Sequence, residues 1–190
     1  MKKSIAAFTL IELLVVIAIA SILAVIAIPN FSDMVRKNQV QTQLKGFASL
    51  MKYARSEAVS SRRTISVCPL TLTNKCDGTG DWSDQLTVFF NDNENDTLEL
   101  PAVDTIKIFY PVGQNTLTVK DSANTDVDMI SFESTGAANT SMTVRVCESS
   151  KDVKKARAVI IAASGMAIHS RINSATGVYK DINATDLVCP

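Results

Sequence analysis

The longest apolar run of the chain lies near its amino terminus, from Phe8 to Ile28, and holds 21 residues with a single charge. As a helix with a rise of about 1.5 Å per residue, it would span roughly the 30 Å hydrocarbon core of a bilayer. Lys2 and Lys3 precede it, and basic residues mark the cytoplasmic ends of such helices. We therefore predict a membrane helix over residues 8–28, with the rest of the chain outside the cytoplasm.

One carboxylate, Glu12, interrupts this run. A charge inside a membrane span costs at least about 2.5 kcal/mol on insertion scales, so an ionisable residue there indicates a function. Glu12 is therefore expected to have a partner that neutralises it.

The leader and the start of the helix carry a family resemblance. A short basic leader, a small residue and Phe-Thr-Leu-Ile-Glu before an unbroken apolar helix resemble the signal of type IV pilins and type II secretion pseudopilins. The resemblance implies that prepilin peptidase cuts between Ala7 and Phe8, which removes residues 1–7, and that the new amine is methylated. It also implies that Glu12 neutralises the terminal amine of a neighbouring subunit during assembly. The family usually has glycine at the position of Ala7, so cleavage is expected at a lower rate.

An ordinary secretory signal or membrane anchor would account for the apolar run, but not for Glu12 at this spacing. After the leader is lost, 183 residues remain, enough for one domain on a long helical stem. Removal of Lys2 and Lys3 from the 19 basic residues leaves 17 against 19 acidic residues, a net charge of −2. No global basic field points to nucleic acid or anionic lipid.

The four cysteines form an even set in a segment expected to face an oxidising compartment, which favours disulfides over a metal site. Three pairings are possible. The simplest one joins Cys68 to Cys76 in a small loop and Cys147 to Cys189, which would tie down the last residues. No Cys-x-x-Cys or histidine-rich pattern suggests zinc, and no cofactor is expected.

Pro29 follows the apolar run and should kink the helix rather than end it, since proline lacks an amide donor; a proline at this place again resembles the pilin family. Apolar residues then recur at steps of three and four, which predicts an amphipathic helix over 29–63. The stripe consists of Val40, Leu44, Phe47, Met51, Ala54 and Ala58. The opposite face carries Lys37, Lys45, Lys52, Arg55, Glu57 and Arg62, which are expected to be solvated.

From residue 64 to residue 190 the pattern favours strands, with short segments rich in Val, Ile, Thr and Phe between polar clusters. The predicted strands are Thr64–Leu70, Leu86–Phe90, Thr105–Tyr110, Thr116–Lys120, Met129–Glu133, Met142–Cys147, Arg157–Ala162 and Ala167–Ile172. The expected fold class is α+β, with a long N-terminal helix packed on a mainly antiparallel β domain.

Three stretches of this domain resemble the GspH/FimT type of minor pilin. They are Cys68-Pro69, the segment from Cys76 to Trp82, and the strand end Val88–Asp92. Trp82 is expected to pack over the sheet edge rather than to stack on a ligand.

A basic cluster after Cys147 is the main local indication of DNA binding, since Lys and Arg on phosphates supply its sequence-independent part. The cluster consists of Lys151, Lys154, Lys155 and Arg157. In related FimT-type DNA receptors of natural transformation, a Gly-Arg-x-Arg motif near the C-terminus is associated with binding. The corresponding stretch here is Gly165–Ile168, with no arginine before Arg171. DNA is therefore a possible partner that is not favoured.

Two further features, an oxygen-rich segment and the single histidine, are interpreted as structural. The oxygen-rich segment Asn91–Asp96 lacks the glycine and the closing glutamate of an EF-hand, so a solvated turn is expected instead of calcium. The single histidine, His169, lies in a predicted strand without a nucleophile arranged beside it, so no enzyme is expected.

The sequence thus predicts a minor pilin of FimU/FimT/GspH type that primes or caps assembly, with prepilin peptidase and other pilins as its partners. It is expected first in the bacterial inner membrane, with its domain in the periplasm, and then on the pilus. A DNA receptor for transformation and a type II secretion pseudopilin are the alternatives.

Overall fold

The computed structural model describes residues 9–78, 81–111, 113 and 115–190; within the helices, the side chains of 26–30 and 102 are not described. The chain divides into two compact units after Asn38, and each is described by itself. Helices are α1 (Leu10–Ser61) and α2 (Pro101–Asp104). Strands are β1 (Ile65–Cys68), β2 (Leu86–Phe90), β3 (Thr105–Phe109), β4 (Thr116–Asp121), β5 (Ile130–Phe132), β6 (Met142–Cys147), β7 (Arg157–Ile161) and β8 (Ala167–His169).

The first unit is the amino-terminal part of α1. The helix runs through position 29 without ending, as the sequence predicts for Pro29. Of the predicted membrane segment, residues 8–28, the first residue and the side chains of the last three lie outside the described part of the structure. Among the described residues, no helix meets the length and apolarity that a membrane crossing requires.

In the second unit, α1 supplies one wall of the core. All six residues of the predicted stripe, from Val40 to Ala58, are at most 5 % exposed. The helix ends at Ser61, and Arg62 adopts a left-handed backbone with φ of 56°, the conformation that commonly follows a helix C-terminus. Arg55 differs from the expectation of a solvated face: it is half-buried, and its Nε donates to the carbonyl oxygen of Gly136 at 2.9 Å. The partner of Arg55 is thus a backbone carbonyl distant in sequence, which the helical pattern of charges could not predict.

The predicted strands form two antiparallel four-stranded sheets, with the orders β3-β2-β1-β5 and β4-β6-β7-β8. Several strands are shorter than predicted at their ends; β8, for example, stops at His169. In the second sheet, Thr116 of β4 pairs with Cys147 of β6, and Asp121 pairs with Met142. The turn after β4 and the turn after β6 therefore lie at opposite ends of this sheet.

The core is closed by long-range contacts. Trp82 packs edge-on against Phe47 of α1, with ring centroids 6.0 Å apart, and its indole nitrogen donates to the carbonyl of Val127 at 2.9 Å. At 7 % exposure it is a packing residue, as expected. Burying its N–H with a partner avoids the cost of an unsatisfied donor.

All four cysteines are oxidised in the simplest of the three pairings. Cys68 is joined to Cys76, and Cys147 is joined to Cys189. The second bond closes a loop of 42 residues and ties the carboxy-terminal segment to β6, where Ala156, Ala158, Val178 and Leu187 form a small buried cluster.

Candidate functional site

Glu12 lies in the first turn of α1 and is exposed. Its backbone N–H donates to Oγ1 of Thr9 at 3.3 Å, and the N–H of Leu13 donates to the carbonyl oxygen of Thr9. Thr9 therefore caps the helix, in the Thr-x-x-Glu spacing of a capping box. Glu12 also suits this place because a carboxylate is stabilised at the positive end of a helix dipole. The predicted cleavage residues, Ala7 and Phe8, lie outside the described residues.

The helix around Glu12 is apolar on every side. The large apolar side chains between Leu10 and Val25 are 51–76 % exposed. A helix that is apolar all round is normally covered by protein or lipid. This surface is therefore of the kind that another protein surface or lipid covers.

The predicted basic cluster lies at the β6–β7 turn and is only partly available to a ligand. Lys155 reaches Glu148, with 3.7 Å between Nζ and Oε2, although the side chain of Glu148 is only 3 % exposed. The guanidinium of Arg157 lies over the ring of Tyr179, with its carbon 4.7 Å from the centroid, and donates to the carbonyl oxygens of Lys154 and Ala156. Two of the four cations thus have structural partners.

The remaining cations, Lys151 and Lys154, are exposed. Arg171 is also exposed and follows β8; its carbonyl oxygen accepts the N–H of Lys180, the residue after Tyr179, whose ring lies against Arg157. The structure therefore brings Arg171 close to the cluster, which the distance along the sequence alone does not reveal.

The stretch that the sequence analysis compared with the arginine motif begins at Gly165, in a turn that α1 holds in place. Gly136 and Gly165 have φ values of +82° and +74°, and a Cβ on Gly165 would clash with the carbonyl oxygen of Gly136. Arg55 donates to that same oxygen. Ala138 completes the link by donating its N–H to the carbonyl oxygen of Ala163 at 2.9 Å. Only glycine fits such an approach.

Two matching turns lie side by side at the other end of the second sheet, and the sequence analysis missed them. Residues 120–126 and 180–186 share the pattern Lys-Asp-x-x-x-Thr-Asp. In each, the aspartate at the second position, Asp121 or Asp181, accepts two backbone N–H groups through Oδ1. The turns touch where Nδ2 of Asn183 donates to the carbonyl oxygen of Ser122 at 2.7 Å. The repeated pattern was the signal that could have revealed them.

A cavity of about 380 Å³ opens beside these turns, and Arg145 forms part of its wall. Nε of Arg145 donates to Oγ1 of Thr118 at 2.6 Å. Burial lowers the pKa of this guanidinium, while the carboxylates of Asp126 and Asp181 act in the opposite direction. Hydrogen bonds from Asn173 and other groups lower the pKa of Asp186, which also lines the cavity.

The oxygen-rich turn after β2 is a structural corner. Asp92 forms an ion pair with Arg63, with 2.7 Å between Oδ2 and Nε, and its Oδ1 accepts the N–H of Thr64. Arg63 also covers the ring of Phe90. Within the described part of the chain, no group of three or more His, Cys, Asp or Glu side chains is arranged to hold a metal ion. His169 lies exposed on β8.

Two family models match the chain. Residues 43–165 match the family described as type II transport protein GspH, and residues 2–28 match the prokaryotic N-terminal methylation motif. The first match covers helix α1 from Gln43 onward and all the strands before β8.

Two fimbrial proteins of Pseudomonas aeruginosa are each 34 % identical to this chain over 104 residues. Those matches cover 50 % of this chain and 65 % of each relative, which is just under two thirds of the relatives' length.

A crystal structure of the type IV minor pilin FimU from Pseudomonas aeruginosa PAO1 superposes with a TM-score of 0.52 at 23 % identity, over 73 % of this chain and 92 % of that one. At that identity the superposition establishes the fold. The fold and the family are those of pilin structural proteins. The chain therefore belongs to the GspH family, and its fold is that of a type IV minor pilin.

Proposed function

We propose that this chain is a minor pilin that is processed between Ala7 and Phe8, methylated on Phe8 and incorporated into a pilus, where it primes or caps assembly. Before assembly it is held in the inner membrane by residues 8–28, with the β domain on the periplasmic side. Prepilin peptidase and other pilins are its partners.

The observation that carries the proposal is the exposed apolar surface of α1 around Glu12, in the segment that matches the N-terminal methylation motif. Packing against the helices of other subunits would cover this surface. A carboxylate left alone among them is penalised, and an opposed ammonium relieves that cost. In this proposal, the methylated amine of Phe8 from an adjacent subunit is that cation.

The proposed pairing is tested by replacing Glu12. Glu12→Ala should abolish incorporation into sheared pili while the protein remains at normal level in the membrane. Thr9→Ala is the matched control, because it removes the helix cap at a cost of about 1 kcal/mol and leaves the carboxylate in place. Normal incorporation of Glu12→Ala would refute the pairing. Loss of both variants from the membrane would assign Glu12 to stability instead.

The role in assembly is tested by deleting the gene and scoring the major pilin in the sheared surface fraction beside transformation frequency. Loss of both supports a priming or capping role. Normal pili with lost transformation would instead identify a DNA receptor.

The DNA receptor is the second candidate, and the exposure of Lys151 and Lys154 favours it. Beside the Arg157–Tyr179 pair, these two lysines offer positive charge to a phosphate backbone. Against it stands the absence of arginine between Gly165 and Arg171. Receptor function requires DNA binding that falls steeply with salt and weakens in Lys151→Ala/Lys154→Ala.

A minor pseudopilin of a type II secretion system is the third candidate, because the family description names type II transport. Deletion would then block export of secreted enzymes and leave the surface pili unchanged.

A further inference from the structure

The second sheet is electrically polarised along its strands. At one end lie the turns of residues 120–126 and 180–186, here called the aspartate turns; at the other lies the β6–β7 turn with residues 148–156, here called the basic turn. Along β6 the two ends are separated by five residue steps, or roughly 17 Å.

The aspartate turns carry an excess of negative charge. Around their cavity stand the carboxylates of Asp121, Asp181 and Asp186 against two cations, Lys120 and Arg145. Lys120 is already paired, because its Nζ lies 2.6 Å from Oδ1 of Asp126. Lys180, the first residue of the second turn, lies opposite Asp186. With the Lys120–Asp126 pair counted as neutral, three carboxylates therefore stand against two cations, Arg145 and Lys180, an excess of one negative charge.

The basic turn has the opposite character. Lys151 stands at its tip, with a left-handed backbone at φ of 56° and its N–H donated to the carbonyl oxygen of Glu148. Lys151 and Lys154 are exposed, and Arg171, bonded through its carbonyl oxygen to Lys180 beside Tyr179, is a third exposed cation. Asp152 offsets part of this charge, while its Oδ1 accepts the N–H of Lys154.

The carboxy-terminal segment contributes residues to both ends of the second sheet. It supplies the second aspartate turn at one end and Arg171 with Tyr179 at the other. This segment follows residue 165, where the match to the family model stops. The first aspartate turn, Arg145 and the basic turn lie within that match, so the carboxy-terminal segment adds to a polarity that the family core already contains.

We propose that the basic turn of one copy docks against the aspartate turns of a second copy, with Lys151 or Lys154 facing the cavity beside Asp186. The commitment to a second copy rests on charge complementarity, since one chain carries both halves of the contact at opposite ends of one sheet. Such a contact is heterologous: each copy keeps one free half, so the contact propagates instead of closing into a dimer. Charge pairs of this kind contribute orientation and association rate more than affinity.

This contact goes beyond the proposed function, because it concerns the β domains and not the processing of Phe8 or the carboxylate of Glu12. Its test uses the purified full chain in detergent micelles, so the result does not depend on cleavage or pilus assembly. Equal amounts of natural and ¹⁵N-labelled protein are mixed, treated with a zero-length carbodiimide that couples lysine to carboxylate, digested, and analysed by mass spectrometry.

Peptides that join Lys151 or Lys154 of one isotope to Asp126 or Asp186 of the other are expected. Asp126 is an accessible target, with a side chain that is 73 % exposed. The link between Lys120 and Asp126 within one chain is the internal positive control for the reagent. Absence of mixed-isotope links at the two ends, while this internal link forms, would overturn the proposal.

Charge reversal separates the contact from crowding in the micelle. Arg171→Glu keeps both lysines that the reagent couples and should reduce the mixed links to the aspartate turns by up to about fivefold, the upper end for one exposed charge pair. Lys52→Glu reverses the charge of another exposed cation and should leave those links unchanged. An equal decrease in both variants would refute a specific contact.

The direction of the contact is tested by mixing labelled Lys151→Glu/Lys154→Glu protein with unlabelled wild type. The variant retains its aspartate turns, so links from wild-type lysines to labelled aspartates should persist, which also verifies that the variant is folded. Raising salt from 0.1 M to 1 M shortens the Debye length from about 10 Å to about 3 Å and should remove most of these links. Links that survive at 1 M would contradict an electrostatic contact.

Discussion

Replacing Gly165 by alanine should destabilise the β domain strongly, because it violates two constraints at once. The first is the left-handed backbone, with φ of +74°, which costs a residue with a Cβ about 1–2 kcal/mol. The second is the clash of the new Cβ with the carbonyl oxygen of Gly136. That contact is with backbone, so one of the two turns must shift, at an overpacking cost of about 1–3 kcal/mol.

The two costs together predict a loss of about 2–5 kcal/mol in the free energy of unfolding. At about 2–4 °C per kcal/mol for a chain of this size, the melting temperature should fall by about 4–20 °C. Gly177→Ala is the matched control: its φ is +72° and no atom lies within 4 Å of the new Cβ. It bears the backbone cost alone, and the gain from restricting the unfolded chain is the same in both variants.

The assay is urea unfolding of the full chain in detergent, followed by the fluorescence of Trp82, the single tryptophan. Because Trp82 is buried against Phe47, its emission reports the contact between α1 and the rest of the core. Gly165→Ala should unfold at a clearly lower urea concentration than Gly177→Ala. Equal midpoints for the two variants would show that the contact with Gly136 carries no cost, and would refute the reasoning.

Three further outcomes follow from the structure. Cys147→Ser/Cys189→Ser should cost about 4 kcal/mol in urea unfolding, the chain-entropy value for a closed loop of 42 residues; an unchanged midpoint would contradict it. Because hydrogen bonds lower the pKa of Asp186 in the folded state, its stabilising contribution should be present at neutral pH and be lost below about pH 4. Below that pH, wild type and Asp186→Asn should have the same free energy of unfolding. A difference between them that does not change with pH would show that the stabilisation does not come from the ionised carboxylate of Asp186. Trp82→Phe leaves the carbonyl of Val127 without its donor and should cost about 1–3 kcal/mol in the same urea assay, whereas wild-type stability would show that water replaces the indole.

Periodicity made most of the fold predictable. The stripe from Val40 to Ala58 is buried in full, because a spacing of three and four residues places all its members on one side of a helix. Strand-forming segments such as Leu86–Phe90 and Met142–Cys147 have the predicted bounds. Their order within the two sheets could not be predicted, since local pattern does not specify which strands become neighbours.

The candidate surfaces were less predictable, because they depend on residues that are distant in sequence. The helical pattern predicts Arg55 as one more solvated cation, yet its side chain donates to a turn 81 residues away. Arg157 was predicted as a basic residue, but its ring partner Tyr179 is brought to it only by the fold of the carboxy-terminal segment. Glu12 was recognised because its chemistry conflicts with its apolar surroundings.

If the chain is incorporated into a filament as proposed, the anchoring of α1 has a mechanical consequence. Tension along this helix would load the interface between its buried stripe and the sheets in shear, with many side chains resisting together. The hydrogen bond from Arg55 to Gly136 couples the same helix directly to the turns at Gly136 and Gly165. A pull on the stem would therefore reach both sheets at once, and the β domain would resist it as one body instead of peeling away strand by strand.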